Sequence, residues 1–234
     1  MSAQADQPPE ARTPLTRERV LRAAIALADA HGVEALTMRR LATALGVEAM
    51  SLYHHVANKD DVLEGVVDLL AVEINDAVAA IDGPTAGAAW QAAARKRILT
   101  AREIMLRHPW APRVFASRTS MSPATIVYHD RLVGLMRDGG FSYDLAHRAL
   151  HALGSRSLGF TQEMFDPGGA MPADVDPADL LGSFAEQVPH LVGMLQDAIA
   201  HVDPDSRLGW CDDQVEFEFG LDLVLDGLER LVVR

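Results

Sequence analysis

"LTMRRLATALGVEAMSLYHHVANKDDVL" (36–63) is the stretch that decides the fold. Thr37 has the side chain of a helix N-cap, and Leu41, Ala44 and Leu45 then recur along one helical face. Gly46 stops that helix, because glycine enters the left-handed region without strain and so suits a tight turn. A third short helix is expected over 48–56, and Asn58 caps a fourth, long one over 59–81. Two short helices joined through a glycine turn make a helix-turn-helix. Leu41, Ala42, Leu45, Val47 and Leu52 form the small core that sets the angle between them, with Ala42 small where they cross. The opposite face of the second helix carries Ala49, Met50, Ser51, Tyr53, His54 and His55.

Small, hydroxylic and aromatic groups near a helix N-terminus suit a DNA major groove, where the first residues of a recognition helix meet base edges. Arg39, Met50 and His54 are the candidates for base readout. Thr37, Ser51, Tyr53 and Lys59 are the candidates for phosphates, through hydroxyls, an ammonium and the free N–H groups at a helix start. His55 either joins this surface or packs at the edge of the head. A metal site at Tyr53-His54-His55 is disfavoured, because neighbouring helical residues point about 100° apart and cannot converge on one ion.

Working outward, residues 1–14 are polar, hold three prolines and show no periodicity, so a disordered arm is expected there. Thr16 caps a first helix, Arg17 to His31, which Gly32 ends. Beyond the fourth helix, helical patterns run over 88–107, 111–117, 123–138, 143–164, 178–201 and 212–232, separated by proline- and glycine-rich breakers. No alternating strand pattern stands out, so the fold class is all-α. The expected domains are a helix-turn-helix head over 15–61 and a larger helical body over 62–234.

The 234 residues are 49% hydrophobic and carry a formal net charge of -12, which taken alone argues against nucleic acid. Its distribution reverses that argument. Residues 12–59 hold seven basic and four acidic side chains, whereas residues 60–234 hold 14 basic and 27 acidic ones. A cationic module can hold phosphates on an acidic body because screening keeps the body's field short-ranged. The lone Cys211 excludes a disulfide within the chain. The longest apolar region, 62–81, is broken by Glu64, Asp68, Glu73 and Asp76. No membrane span and a cytoplasmic location are therefore expected. Arginine outnumbers lysine heavily (the lysines are Lys59 and Lys96), a usage that points to a high-GC bacterium.

Residues 36–63 resemble the DNA-binding head of the tetracycline-repressor (TetR) family of bacterial regulators, most specifically in Leu-Tyr-x-His-Val-x-Asn-Lys (52–59) behind a Leu-Gly-Val turn. "GGFSYDLAHRALHALGSRSLGF" (139–160) and "FEFGLDLVLDGLERL" (217–231) are similar to that family's last long helices. The resemblance implies a homodimer joined through the helices around 143–164 and 212–232. It also implies a small-molecule effector held in the body and a double-stranded DNA operator. Repression is the sign it implies by default.

The resemblance implies a different effector mode from magnesium-tetracycline. Asn75, Phe115 and Ser155 stand where histidines belong in that mode, Arg97 replaces an asparagine and Ala101 a phenylalanine, while Glu163 keeps the acid. Losing the histidines removes the magnesium logic. The pocket so implied is lined by Asn75, Arg97, Ala101, Phe115, His129, Ser155 and Phe160, with Glu163 beside it. Arg97 suits an anionic or carbonyl-bearing ligand, or else lies on the surface. The irregular segment 166–177 is either a flap over the pocket or a connector.

Asp144, His147 and His151 share one helix face, but no Glu follows the first His as in His-Glu-x-x-His. A polar helix position or a dimer interface accounts for them. With no glycine-rich phosphate loop, no Gly-x-Ser-x-Gly and no paired cysteines, enzyme chemistry has no positive support, and no cofactor or metal is expected. The reading is a ligand-responsive DNA-binding regulator, a repressor on a palindromic operator. The alternative is a small-molecule sequestering protein that has lost operator binding.

Overall fold

The computed structural model describes residues 14–118, 121–159, 186–190, 192–194 and 213–232. Their regular structure is helical throughout, as expected: α1 Arg17–His31, α2 Met38–Leu45, α3 Ala49–Leu52, α4 Lys59–Ala79, α5 Trp90–Leu106, α6 Ala111–Ser117, α7 Pro123–Asp138, α8 Tyr143–Gly159 and α9 Asp213–Leu231. The arm at 1–13, the segment 166–177 and Cys211 lie outside the described residues, as does most of the helix expected over 178–201. The chain divides into two compact units, 1–77 with 103–128, and 78–102 with 129–234.

The first unit is built on capped helices. The Thr16 side chain accepts from the Arg19 N–H, and Gly32 closes α1 at φ 78° with its N–H on the Ala28 carbonyl. Thr37 caps α2 in the same way, accepting from the Arg40 N–H at 3.2 Å. Gly46, at φ 66°, ends α2 in the left-handed region, and the Val47 N–H returns to the Ala42 carbonyl at 3.1 Å. Asn58 caps α4, accepting from the Asp61 N–H at 2.9 Å. Val20, Leu41, Leu52, Val62 and Val66 form the centre of the core, which extends through Leu70 to Trp110 and Val114. Trp110 is tied to α1 as well: its Nε1–H donates to Asp29 at 2.7 Å, and the same carboxylate oxygen lies 2.8 Å from His108 Nδ1.

The helix expected over 48–56 is corrected to four residues, Ala49–Leu52. Its continuation is folded into a turn. The N–H groups of His55 and Val56 both converge on the Leu52 carbonyl, at 2.8 and 2.9 Å. The His55 carbonyl accepts from Arg17 at 3.0 Å, and Asp61 takes the Ala57 N–H at 2.7 Å. α4 likewise ends at Ala79 rather than at residue 81.

In the second unit, Trp90, Met136, Phe141, Phe217, Leu221 and Leu225 are the main buried side chains. Trp90 meets Phe141 edge-on at 4.5 Å between centroids, and its Nε1–H donates to Glu229 at 2.5 Å. Arg95 reaches from α5 to α9, 2.6 Å from Glu218 and 2.7 Å from Asp222. Gln214 first, then Arg95, holds the Glu218 carboxyl below its ordinary range. Arg102 lies over the Phe217 ring at 4.1 Å. Gly139 and Gly140 turn the chain between α7 and α8: Gly140 adopts φ 96°, and a Cβ on Gly139 would stand 2.5 Å from Trp90 Cγ.

Candidate nucleic-acid interface

The eight residues expected to face DNA all fall in the helix-turn-helix, the turn after it or, for Lys59, at the first position of α4. Thr37, Arg39, Met50, Tyr53 and His54 are exposed, and Ser51, His55 and Lys59 are half-buried. Met50 is 72% exposed, so its side chain is open to a docking surface. The Thr37 hydroxyl oxygen accepts the Arg40 N–H, so its proton remains able to donate to a phosphate oxygen. Tyr53 and His54 follow α3 rather than belonging to it, because the helix stops at Leu52. What presents them is a hydrogen-bonded turn.

That turn is held by residues the sequence reading did not single out. Arg17 Nη2 lies 2.5 Å from Asp61 Oδ1 and its Nη1 lies 3.0 Å from Oδ2, a two-point pairing. The same guanidinium holds the His55 carbonyl, so α1, the recognition turn and the start of α4 are locked together. The Arg17 hydrogen bond is also the main reason the Asp61 carboxyl sits below its ordinary range. The only local signal for this bracket is the Asn58 cap; Arg17 lies too far away in sequence for spacing to reveal it.

The residues expected around an effector are placed one by one. In the first unit, Asn75 is buried and its Nδ2 donates to the Ala124 carbonyl at 2.8 Å, while Phe115 packs against the head's core. In the second unit, Ala101 and His129 are half-buried. Arg97 lines a cavity of about 300 Å³ together with Val78, Thr85, Arg131, Leu135 and Asp138. Phe160 and Glu163 lie outside the described residues, as does the side chain of Ser155. On α8, His147 and His151 are exposed with ring centroids 4.7 Å apart.

No helix among the described residues is long and apolar enough to cross a membrane. Residues 20–66 match the family model for bacterial regulatory proteins of the tetR family, and residues 83–232 match that for the tetracyclin repressor-like C-terminal domain. The chain is 28% identical to the HTH-type transcriptional repressor DrrR1 of Streptomyces coeruleorubidus, across 94% of this chain and 79% of that one. A possible TetR family transcriptional regulator from Streptomyces coelicolor A3(2) superposes with a TM-score of 0.71 at 32% identity, across 92% of this chain and 99% of that one. The Streptomyces coelicolor TetR family protein ActR, solved in complex with actinorhodin, gives a TM-score of 0.71 at 26% identity, across 95% of this chain and 100% of that one. Head and body are thus matched separately and together, and the chain belongs to the tetR family of bacterial regulatory proteins: it is a ligand-responsive, DNA-binding transcriptional regulator, not an enzyme.

Proposed function

We propose that the protein is a homodimeric repressor whose two heads dock in successive major grooves of a palindromic operator and are released by a small organic effector. The observation that carries this reading is the exposed surface of Arg39, Met50, Tyr53 and His54 on a helix-turn-helix whose end is locked by Arg17 and Asp61. Such a surface is preorganised for a groove. Repression is also the activity named for DrrR1. A regulator of this kind works on the bacterial chromosome, in the cytoplasm.

Dimerisation is supported by α9. Val215, Phe219 and Leu223 follow one another at four-residue steps along one side of α9 and are exposed, with Phe219 at 62% and Leu223 at 58%. An exposed apolar stripe of this length calls for a partner, and we assign it to the second copy, together with the α8 face of Tyr143, His147 and His151. For the effector we propose Arg97 as the anchoring contact, its cavity being large enough for a small organic molecule. ActR bound to actinorhodin supports an organic effector.

The test is a fluorescence-anisotropy titration of the protein on DNA from upstream of its own coding region, at several salt concentrations. Lys59→Ala removes one phosphate contact per protomer, so it should weaken binding and lower the salt slope by about 2 for a dimer. Tyr53→Phe should weaken binding without altering the slope, since it removes a neutral donor. Salt-independent binding, or variants that behave as wild type on every sequence offered, would overturn the assignment of these residues.

A further inference from the structure

Spacing alone leaves His147 and His151 as polar positions on α8; the structure adds their separation. Ala146, Ala149 and Leu153 are buried and fix the rotation of α8 about its axis. His147 and His151, one turn apart, are thereby left outward and exposed. Their ring centroids stand 4.7 Å apart, with the planes at 77°. Two imidazoles that share one ion, each through a nitrogen at about 2.1 Å and at an angle of about 90–110°, have centroids about 4.5–5.2 Å apart. The backbone of α8 thus already holds the pair at chelating distance. No hydrogen bond or ion pair among the described residues ties down either ring. Turning about χ2, a broad torsion in histidine, can therefore aim a nitrogen of each at one point.

The donor set selects the ion. Imidazole nitrogen suits nickel, copper and zinc, whereas magnesium and calcium demand oxygen. Asp144, one turn earlier on the same face, is not part of the set: its carboxylate accepts from Arg148 Nε at 2.9 Å. No three His, Cys, Asp or Glu side chains among the described residues are grouped closely enough to hold an ion. One protomer therefore offers two ligands and leaves the remaining positions of the ion open. That Asp144–Arg148 pairing also neutralises the cation nearest in sequence to His147 and His151. The charge of the chain favours a cation too, with 27 acidic against 14 basic side chains over residues 60–234.

We propose that His147 and His151 chelate a divalent transition cation of the nickel, copper and zinc class on the outer face of α8. The helix makes the second contact effectively intramolecular, so the pair binds far better than two separate imidazoles would. A consequence follows for the dimer, and it rests, unlike the chelation, on the interface reading above. Two-fold symmetry brings the same α8 face of the second copy, with the same imidazoles, to that interface. The open positions of the ion are then filled across the interface rather than by water. The dimer binds the ion more tightly than the monomer does, and by linkage the ion tightens the dimer to the same extent.

The experiment is calorimetric titration of the full-length, tag-free protein with nickel(II) and zinc(II), and with magnesium(II) as the hard-cation control. Nickel and zinc should saturate, and magnesium should not compete with them. His147→Ala and His151→Ala should each weaken nickel binding about tenfold or more, because a lone imidazole loses the intramolecular second contact. A third variant keeps the number of histidines: His151→Ala with Ala152→His separates the pair by five positions and turns the rings about 140° apart. It should bind no better than His151→Ala. All three positions are exposed, and thermal melts establish that each variant is folded. The site is overturned if neither cation saturates, if magnesium competes equally, or if the single variants or the shifted pair bind like wild type. The titration is then repeated on Leu223→Glu, which puts a charge on the α9 stripe. A monomeric Leu223→Glu should bind nickel more weakly than wild type, and equal binding overturns the coupling. A Leu223→Glu protein that stays dimeric counts against the interface reading, and the coupling with it, while the chelation stands on the histidine variants alone.

Discussion

Arg17 joins α1 to the recognition turn at His55 and to the start of α4, which lie 38 and 44 residues further along the chain, and Asp61 is what it pulls against. The pair is partly solvated, with side chains 46% and 27% exposed, so solvent screening leaves it worth about 1 kcal/mol. Asp61→Asn should destabilise the protein by about that amount at pH 7. The Asp61 carboxyl is held below its ordinary value of 3.8, chiefly by the Arg17 hydrogen bond. A carboxyl lowered on folding contributes stability that is fully present above its unfolded value and is lost as pH falls through the folded one. The difference between wild type and Asp61→Asn, read from thermal melts, should therefore stay constant from pH 7 to about pH 5 and narrow as the pH is taken through 3.8 and below. A difference that persists unchanged at pH 2 would refute the charge pairing. Residues of this kind are what the sequence hides. The caps at Thr16, Thr37 and Asn58 act within three positions and can be read directly, whereas Arg17 and Asp29 find their partners only after folding.

At the level of the helix, the same contrast decides which boundaries were legible. α1 and α2 begin after a threonine and end before a glycine, and both fall where the caps put them. α3 does not, because its end is set by Arg17 and Asp61 acting on the backbone at His55 and Ala57 rather than by any stop signal of its own. Two glycines of α7 and its exit illustrate how context sets the sign of a substitution. A methyl group on Gly134, inside α7, meets nothing within 4 Å, so Gly134→Ala should stabilise by about 0.5–1 kcal/mol. On Gly139 the same methyl would collide with Trp90, a buried ring fixed by Phe141 and Glu229. Gly139→Ala should cost about 2 kcal/mol or more through overpacking. Denaturant unfolding of both variants checks the pair, and equal effects of one sign would contradict the packing described.

For the whole molecule, the α9 stripe makes the protomer a half-structure. Leu223 is exposed within one copy, so Leu223→Glu should leave each protomer folded while placing two like charges near each other across the interface. Sedimentation should show a monomer, and operator affinity should fall by about 100-fold or more, because linking two heads is what makes the second contact effectively intramolecular. A dimeric Leu223→Glu protein would move the interface elsewhere. The fold class, the head and the regulator function were legible in the sequence because helix periodicity, caps and a specific motif all act locally. The effector side was less so: a pocket drawn from resemblance alone gave equal weight to Asn75, whose amide is occupied by Ala124, and to Arg97, which lines a cavity. Side chains that close a cavity and side chains that pin a backbone have the same composition, and only coordinates separate them.

Among the described residues, each compact unit also holds one buried tryptophan whose indole N–H rests on a carboxylate, Trp110 on Asp29 and Trp90 on Glu229. The molecule thus carries its own pair of optical probes. With Trp210 replaced by phenylalanine, Trp110→Phe leaves an emission that follows the second unit, and Trp90→Phe one that follows the first. Superimposable melting curves from the two would mean that the units unfold as one cooperative block, and separated curves would give each unit a stability of its own.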